Sequence, residues 1–344
     1  MLVVAALGVS TAAEAQVAST QKLRIVGSLA GLNQYVQHEE PFWTQTLTRL
    51  SGGRFSADIV PFDRAGVPAQ DMLRLMQIGV IPFGTAQLSR VAAQDAVFSA
   101  MDLAGLNPDV ATLRKSVAAY RPFVESTLRQ NYRIELLGIY VYPAQMIFCS
   151  SPFASLKDLA GRRIRVSGSS SADFISAVGA TPVVTSLTEM LPNIRNGNVN
   201  CAVTGTMSGN TVGLHEITSH LYAMPITWGL ALFGANSDSW NALDPALRVL
   251  LRNELPKLEA DIWAANERET KVGIDCNIGA LGCVGGRKGR MTLVQPTPQD
   301  DQRRKSILLS TVLPQWLRRC GGQCADIWNQ TIGPALGIAA PAAP

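Results

Sequence analysis

From Leu23 onward the chain alternates segments of two hydrophobic periods, and that alternation limits its fold more than any other feature. "KLRIVGS" reads as a strand, "PFWTQTLTRLSGG" as a helix started by proline and stopped by glycine, and "RFSADIVPF" as a second strand. "AQDMLRLMQIG" is a second short helix ending at Gly79, and "IPFGTAQLS" a third strand. Strands separated by helices run parallel, because the helix carries the chain back to the edge where the previous strand began. The expected class is α/β, with a parallel sheet covered by helices on both faces.

The pattern continues through a long helix expected from Asp109 to Tyr132, where Val110, Leu113, Val117 and Tyr120 recur at helical spacing and Pro122 should kink or break it. "IELLGIYVYP" and "QMIFCSS" then read as strands that cross into a second lobe. There "RRIRVS", "TPVVT" and "NVNCAVT" are strand-like, separated by helices at "SADFISAVG" and "SLTEMLPNIRNG". The latter opens on Ser186 with Glu189 three residues on, a capping box, and closes at Gly197 with Pro192 inside it. "ITWGLALFGAN" should return to the first lobe, after which Asp244 and Pro245 form the cap and first turn of a long helix through Leu258, Trp263 and Ala265, kinked at Pro256. The last segment reads as loop-rich, with one helix around "RRKSILLSTVLPQWLRRC". Neither lobe is therefore continuous: lobe I is expected to comprise 23–142 and 225–272, and lobe II 143–224 and about 273–335.

With 344 residues, 47% of them hydrophobic and 16% charged, the chain has apolar material for two cores and is not a disordered one. It opens on "MLVVAALGVSTAAEAQ", in which an apolar run from Leu2 to Val9 precedes small residues and Ala13-Glu14-Ala15. Residues 1–15 are read as an export signal cleaved near Ala15, so the mature chain is expected to be exported. That run is far shorter than the ~20 apolar residues of a membrane span, and no later segment stays both apolar and uncharged for that span's length, so the mature chain is not expected to be membrane-embedded. The formal charge of +4 comes from basic residues spread along the chain, without tracts interleaved with aromatics, which argues against nucleic acid as a partner. In an oxidising compartment the six cysteines suit disulfides better than metal. Proximity suggests Cys276–Cys283 and Cys320–Cys324, leaving Cys149–Cys201 to join neighbouring strands.

Motifs for catalysis are weak. The histidines of "HEITSH", His215 and His220, stand five apart, which turns them away from one another on a helix where a zinc pair would stand four apart. "GTMSG" places its serine wrongly for a nucleophile elbow, and "GGRKGR" lacks the features of a phosphate loop. No cofactor or metal is expected. What remains is Arg165, inside the apolar strand "RRIRVS" and followed by "SGSSSADF". One reading turns it outward beside Arg163 and Ser167, since strand residues alternate faces. The other turns it inward, where a buried guanidinium needs a partner and its planar fork suits a carboxylate. The serine-rich helix start after it would favour the same anion.

The segment "SLKDLAGRRIRVSGSSSADFISAVGATPVVTSLTEMLPNIRNGNVNCAVTG" resembles the central region of the extracytoplasmic solute receptors of TRAP transporters, the tripartite ATP-independent periplasmic carriers. Asp158-Leu159, Gly161, Ile164-Arg165-Val166, then Gly179-Ala180 and Pro182-Val183, follow that family's order and spacing, and a weaker likeness extends from Leu23 to about Gly273. The resemblance implies a two-lobed periplasmic binding protein of type II-like fold, its lobes joined by crossing strands and a long hinge-spanning helix. It also implies a small carboxylate ligand delivered to membrane subunits by a monomeric receptor, with Arg165 holding the carboxylate. Gln145 stands where many members carry a second arginine, Thr204 where a polar contact is common, and Leu187 where an aromatic often packs on the ligand. Asn200-Cys201 replaces a frequent Asp-Gly, and the cysteine-rich C-terminal part is not a general family feature. Strand ends facing a cleft add Ser28, Asn33, Gln87 and Trp228 as contacts, with solvated loop the other reading for the first three and core packing for Trp228. The expected function is capture of a small organic acid. The alternatives are a ligand receptor for a sensor or another transporter, and a secreted hydrolase on the same fold, which would need a serine beside His215 or His220 in the cleft.

Overall fold

Each of the first strands is followed by a helical return, and they line up in parallel. In the computed structural model, which describes residues 20–341, β1 (Gln21–Gly27) pairs in parallel with β2 (Phe55–Pro61) and β3 (Phe83–Gln87). The export signal expected at residues 1–15 lies outside the described residues. The helix Val110–Tyr132 then leads to β4 (Ile134–Val141), and a later strand, β10 (Leu230–Asn236), runs antiparallel between β3 and β4. The order of this first sheet is β2-β1-β3-β10-β4. Pro122 sits inside Val110–Tyr132 without ending it.

The second sheet is built from β5 (Gln145–Cys149), β6 (Arg163–Val166), β7 (Thr181–Val184), β8 (Cys201–Gly205), β9 (His220–Thr227) and β11 (Thr292–Val294), in the order β11-β9-β5-β8-β6-β7. Local signals place its helices. Ser186 and Glu189 make both hydrogen bonds of the capping box that opens the helix Leu187–Arg195. The chain is thus the two-lobed α/β protein the sequence suggested.

The lobes meet where the chain crosses between sheets, at Tyr142–Ala144 and again at Trp228–Gly229. The second crossing falls just after 227, not at 225, because β9 stays paired in the second sheet up to Thr227. The crossings are tied to one another by Tyr142 N–H donating to Gly229 C=O at 2.9 Å. Asp102 fastens the same point by accepting the N–H groups of Trp228 and Gly229 at 3.0 and 2.8 Å. Gly229 has φ +76, and a Cβ there would collide with the Gln145 amide, so the turn requires glycine.

A third link is the helix Pro245–Ile278, opened by Asp244 accepting from Ala246 N–H at 2.7 Å and closed by Gly279 in the left-handed region. It runs through Pro256 unbroken. Under lobe I it presents Trp263, whose indole donates to Ile139 C=O at 2.7 Å. Under lobe II Gly273 lies so close to Thr206 and Met207 that a Cβ would strike their backbone. Leu247, Leu251, Leu255 and Ile262 of this helix complete a core with Trp43, Tyr140 and Phe233 of the first lobe.

The C-terminal region is more helical than expected: Pro298–Ile307, Leu313–Cys320, Cys324–Gln330 and Ile332–Leu336 are all helices. The start signal was present, since Thr297 and Asp300 form a capping box with Pro298 in the first turn, but its apolar period is weak. These helices are not confined to lobe II. Asp300 accepts Leu156 N–H at 3.0 Å and Arg319 pairs with Asp173, both in lobe II, whereas Trp316 donates to Ala96 C=O at 2.8 Å in lobe I. Buried Arg304 donates to Gly105 C=O, also in lobe I. They therefore brace both lobes.

The cysteines meet as Cys149–Cys201, Cys276–Cys283 and Cys320–Cys324. The first pair stands directly opposite in the antiparallel register of β5 and β8. Protein prepared through the periplasm should gain one hydrogen mass per cysteine on reduction, read by intact mass spectrometry under denaturing conditions; an unchanged mass would mean that the thiols are free.

Burial pushes the Asp102 carboxyl from 3.8 up to about 7, against the pull of the Gly229 and Trp228 N–H groups. The folded chain holds that proton more tightly than the unfolded one, so this group's stabilisation is full below 3.8 and is lost as pH rises through about 7. Asp102→Asn, which never ionises, should flatten the fall in urea midpoint across that interval; an unaltered slope would assign it to other groups.

Candidate functional site

The carboxyl ends of β1 and β3 in lobe I face those of β6 and β8 in lobe II, and between them lies a cleft of about 490 Å3. Such strand ends are where open α/β sheets bind ligands, because the side chains there come from loops and helix starts free to vary. Arg165, on β6 beside Val183 and Ala202, reaches this cleft with only 4% of its surface exposed. The inward reading of this residue is the one the structure has. Arg163, on the same face, lies at the start of the strand and is exposed.

The guanidinium of Arg165 is held by carbonyl groups. Nε and Nη2 donate to Thr185 C=O at 3.1 and 2.8 Å, and Nη1 donates to Val203 C=O at 3.0 Å. Nη1 also approaches Met190 Sδ at 4.0 Å, so of the five N–H groups of the arginine one on Nη2 is left over for a ligand oxygen. Burial lowers the Arg165 pKa to about 10, the nearby Arg90 adding to the effect and Glu189 opposing it. At neutral pH the group stays charged, and its oxygen partners are neutral carbonyls.

Arg90 is a residue that the sequence reading passed over. It lies on the short helix Leu88–Val91 after β3, lines the cleft from lobe I, and donates across it to Ser167 C=O at 3.3 Å. Its signal was position: three residues beyond Gln87, where the third strand empties into the cleft. The two guanidinium groups bring positive charge to the cleft from both lobes, against the single carboxylate, Asp63, among its lining residues.

Gln87, Gln145, Thr204 and Leu187 also line the cleft. Gln145 opens β5 and Thr204 stands opposite Met146 on β8, so the second sheet carries both toward Arg165. Three expected contacts lie elsewhere. Trp228 is buried in the core, its indole donating to Asn107 C=O at 3.0 Å, because a ring of that size fills the space where the chain crosses. Ser28 points beneath the cleft, its N–H bonded to buried Glu39 at 2.7 Å, and its neighbour Leu29 lines the cleft instead. Asn33 turns to the long helix and donates to Glu269 at 2.8 Å.

Of the serine-rich turn after Arg165 only Ser167 lines the main cleft. Gly168 abuts Ser89 of lobe I, so closely that a Cβ would come within 2.6 Å of the Ser89 carbonyl oxygen, and Ser170 Oγ accepts Ala104 N–H at 2.6 Å. This turn is a seam between lobes. Ser219 and His220 touch at 2.8 Å, but neither lines the cleft, and Ser219 Oγ donates to Ser150 C=O at 3.0 Å. His215 likewise lies outside the cleft. Among the described residues no group of three or more His, Cys, Asp or Glu side chains could hold a metal, and no helix is long and apolar enough to cross a membrane.

Residues 27–275 match the family described as bacterial extracellular solute-binding protein, family 7. No curated protein matches in sequence. Among solved structures, the Bordetella pertussis extracytoplasmic solute receptor DctP7, which binds pyroglutamic acid, is 18% identical with a TM-score of 0.80 over 90% of this chain and 99% of its own. A TRAP periplasmic solute-binding protein from Desulfovibrio salexigens with bound orotic acid is 14% identical with a TM-score of 0.80, covering 92% of this chain and 98% of that one. One from Haemophilus influenzae with bound L-gulonate is 13% identical with a TM-score of 0.78, covering 92% and 100%. The shared fold and the match over most of its length assign this chain to the family 7 bacterial extracellular solute-binding proteins.

Proposed function

We propose that this chain is the periplasmic receptor of a TRAP transporter, which captures a small organic acid between its lobes and delivers it to membrane subunits without catalysis. The observation that carries this reading is Arg165: a buried cation whose hydrogen-bonding oxygens are all neutral carbonyls, lining a cleft formed by both lobes. A buried charge without a counterion is costly, and a bound carboxylate offsets that cost where the lobes meet. Ligands of the similar receptors, pyroglutamate, orotate and gulonate, all carry such a group. Gln87, Gln145 and Thr204 supply hydrogen bonds for the rest of the ligand, and Leu29, Phe62, Leu187 and Leu230 supply apolar walls for its body. Closure follows from differential affinity, because a ligand that touches both lobes favours the arrangement in which both reach it.

Ligand-stripped protein should unfold at a higher temperature with one class of organic acid. A ligand at roughly a hundred times its Kd adds about 2.7 kcal/mol, enough to move the midpoint by several degrees. A panel containing pyroglutamate, orotate and gulonate, with uncharged amides as controls, tests this; a response to none of the acids would sink the proposal.

Arg165→Ala should weaken binding of the responsive acid by about 2–5 kcal/mol, as when one member of a buried charged pair is removed. Isothermal titration, with circular dichroism to verify folding, checks this. Gly168→Ala should leave each lobe folded and weaken the same ligand by about tenfold or more, roughly 1.4 kcal/mol, because its Cβ would hold the lobes apart at Ser89. Unchanged affinity in a folded Gly168→Ala variant would mean that this seam does not close on the ligand.

A further inference from the structure

Beyond ligand capture, the segment joining the long helix to β11 forms a surface that the cleft does not use. It reads "GALGCVGGRKGR", residues 279–290, and Cys276–Cys283 fastens it to the last turn of the helix. The loop is held from several sides. Asn210 accepts Arg287 N–H at 2.8 Å and donates to Arg287 C=O at 2.8 Å, while Gly289 N–H donates to Cys276 C=O at 2.7 Å. Gly282 and Gly286 lie against Asp275 and the Cys276 sulfur too closely for any Cβ. A loop so fixed cannot fold its tip inward.

That tip carries Leu281, 96% exposed, and Val284, 73% exposed. Rigidly displayed aliphatic side chains mark an interaction site, since a free loop would bury them against its own protein. Arg287, Lys288 and Arg290 follow immediately and are all exposed; only Arg287 has a carboxylate neighbour, Glu216 at 3.3 Å. An apolar point with a cationic collar matches the border between headgroups and acyl chains of an anionic bilayer, where phosphates meet the cations and the aliphatic tips leave water.

We propose that this stapled loop is a membrane-surface contact that seats lobe II on anionic phospholipid. The complementarity of charge favours this occupant: three adjacent cations face outward beside the only two apolar side chains of the loop that are large and exposed. None of these residues lines the cleft, so the contact is separable from ligand binding.

Cosedimentation of the oxidised protein with vesicles of phosphatidylcholine alone, and of phosphatidylcholine mixed equally with phosphatidylglycerol, tests it. Binding should occur on the mixed vesicles only and weaken with added salt. The double variant Lys288→Glu with Arg290→Glu, and separately Leu281→Asp, should each reduce it by about tenfold or more, since each cation and the buried aliphatic contribute comparably. Both variants should keep the wild-type thermal midpoint and ligand response, which separates this result from the fate of the cleft assignment. Equal binding to both vesicle types, binding unchanged by the variants, or no binding to mixed vesicles would overturn the proposal; the last would leave an apolar and acidic protein surface as the partner.

Discussion

The cleft exists because the chain passes between its two sheets at one narrow place. Tyr142 and Gly229 are hydrogen-bonded there, and Asp102 accepts both N–H groups of the Trp228–Gly229 turn. A carboxylate that collects adjacent backbone donors fixes the direction in which the chain leaves one sheet and enters the other. With that point held and the helix Pro245–Ile278 running beneath both lobes, the strand ends of each sheet face one another across a gap. Gly229 and Gly273 belong to the same constraint, since side chains there would push Gln145 or the Thr206–Met207 backbone away.

Charge in the gap follows from that geometry. Arg165 sits on β6 with β7 and β8 on either side, so its guanidinium meets the carbonyls of Thr185 and Val203 and otherwise borders the cleft. Arg90 approaches from the other lobe, and its positive charge works in the same direction as burial to lower the Arg165 pKa. An anion between them would relieve that repulsion.

The C-terminal helices reach both lobes through Trp316, Arg304, Asp300 and Arg319, which adds a brace at the side away from the crossing strands. Three disulfides reinforce separate places: the middle of the second sheet, the end of the long helix, and the turn between two C-terminal helices. Each shortens the unfolded chain's range of conformations and so favours the folded state.

Much of this was legible because its causes are local. The capping box of Ser186 and Glu189, the Asp244–Pro245 helix start and the alternation of strand and helix depend on neighbours a few residues away. Arg165 stood out for the same reason, as a charge inside an apolar strand. Arg90 did not, because its role depends on Ser167, 77 positions away and on the other lobe. Trp228 was open between cleft contact and core packing, since a strand-end aromatic near a crossing can face either and only the packing around Asn107 decides. The sequence by itself determined most of the strands and helices and the α/β class, and singled out Arg165 without settling which way it turns, because hydrophobic period and capping act over short range. Which side chains oppose one another across the cleft was decided only by the tertiary structure, since the angle at which the lobes cross is set by contacts between segments far apart in the chain.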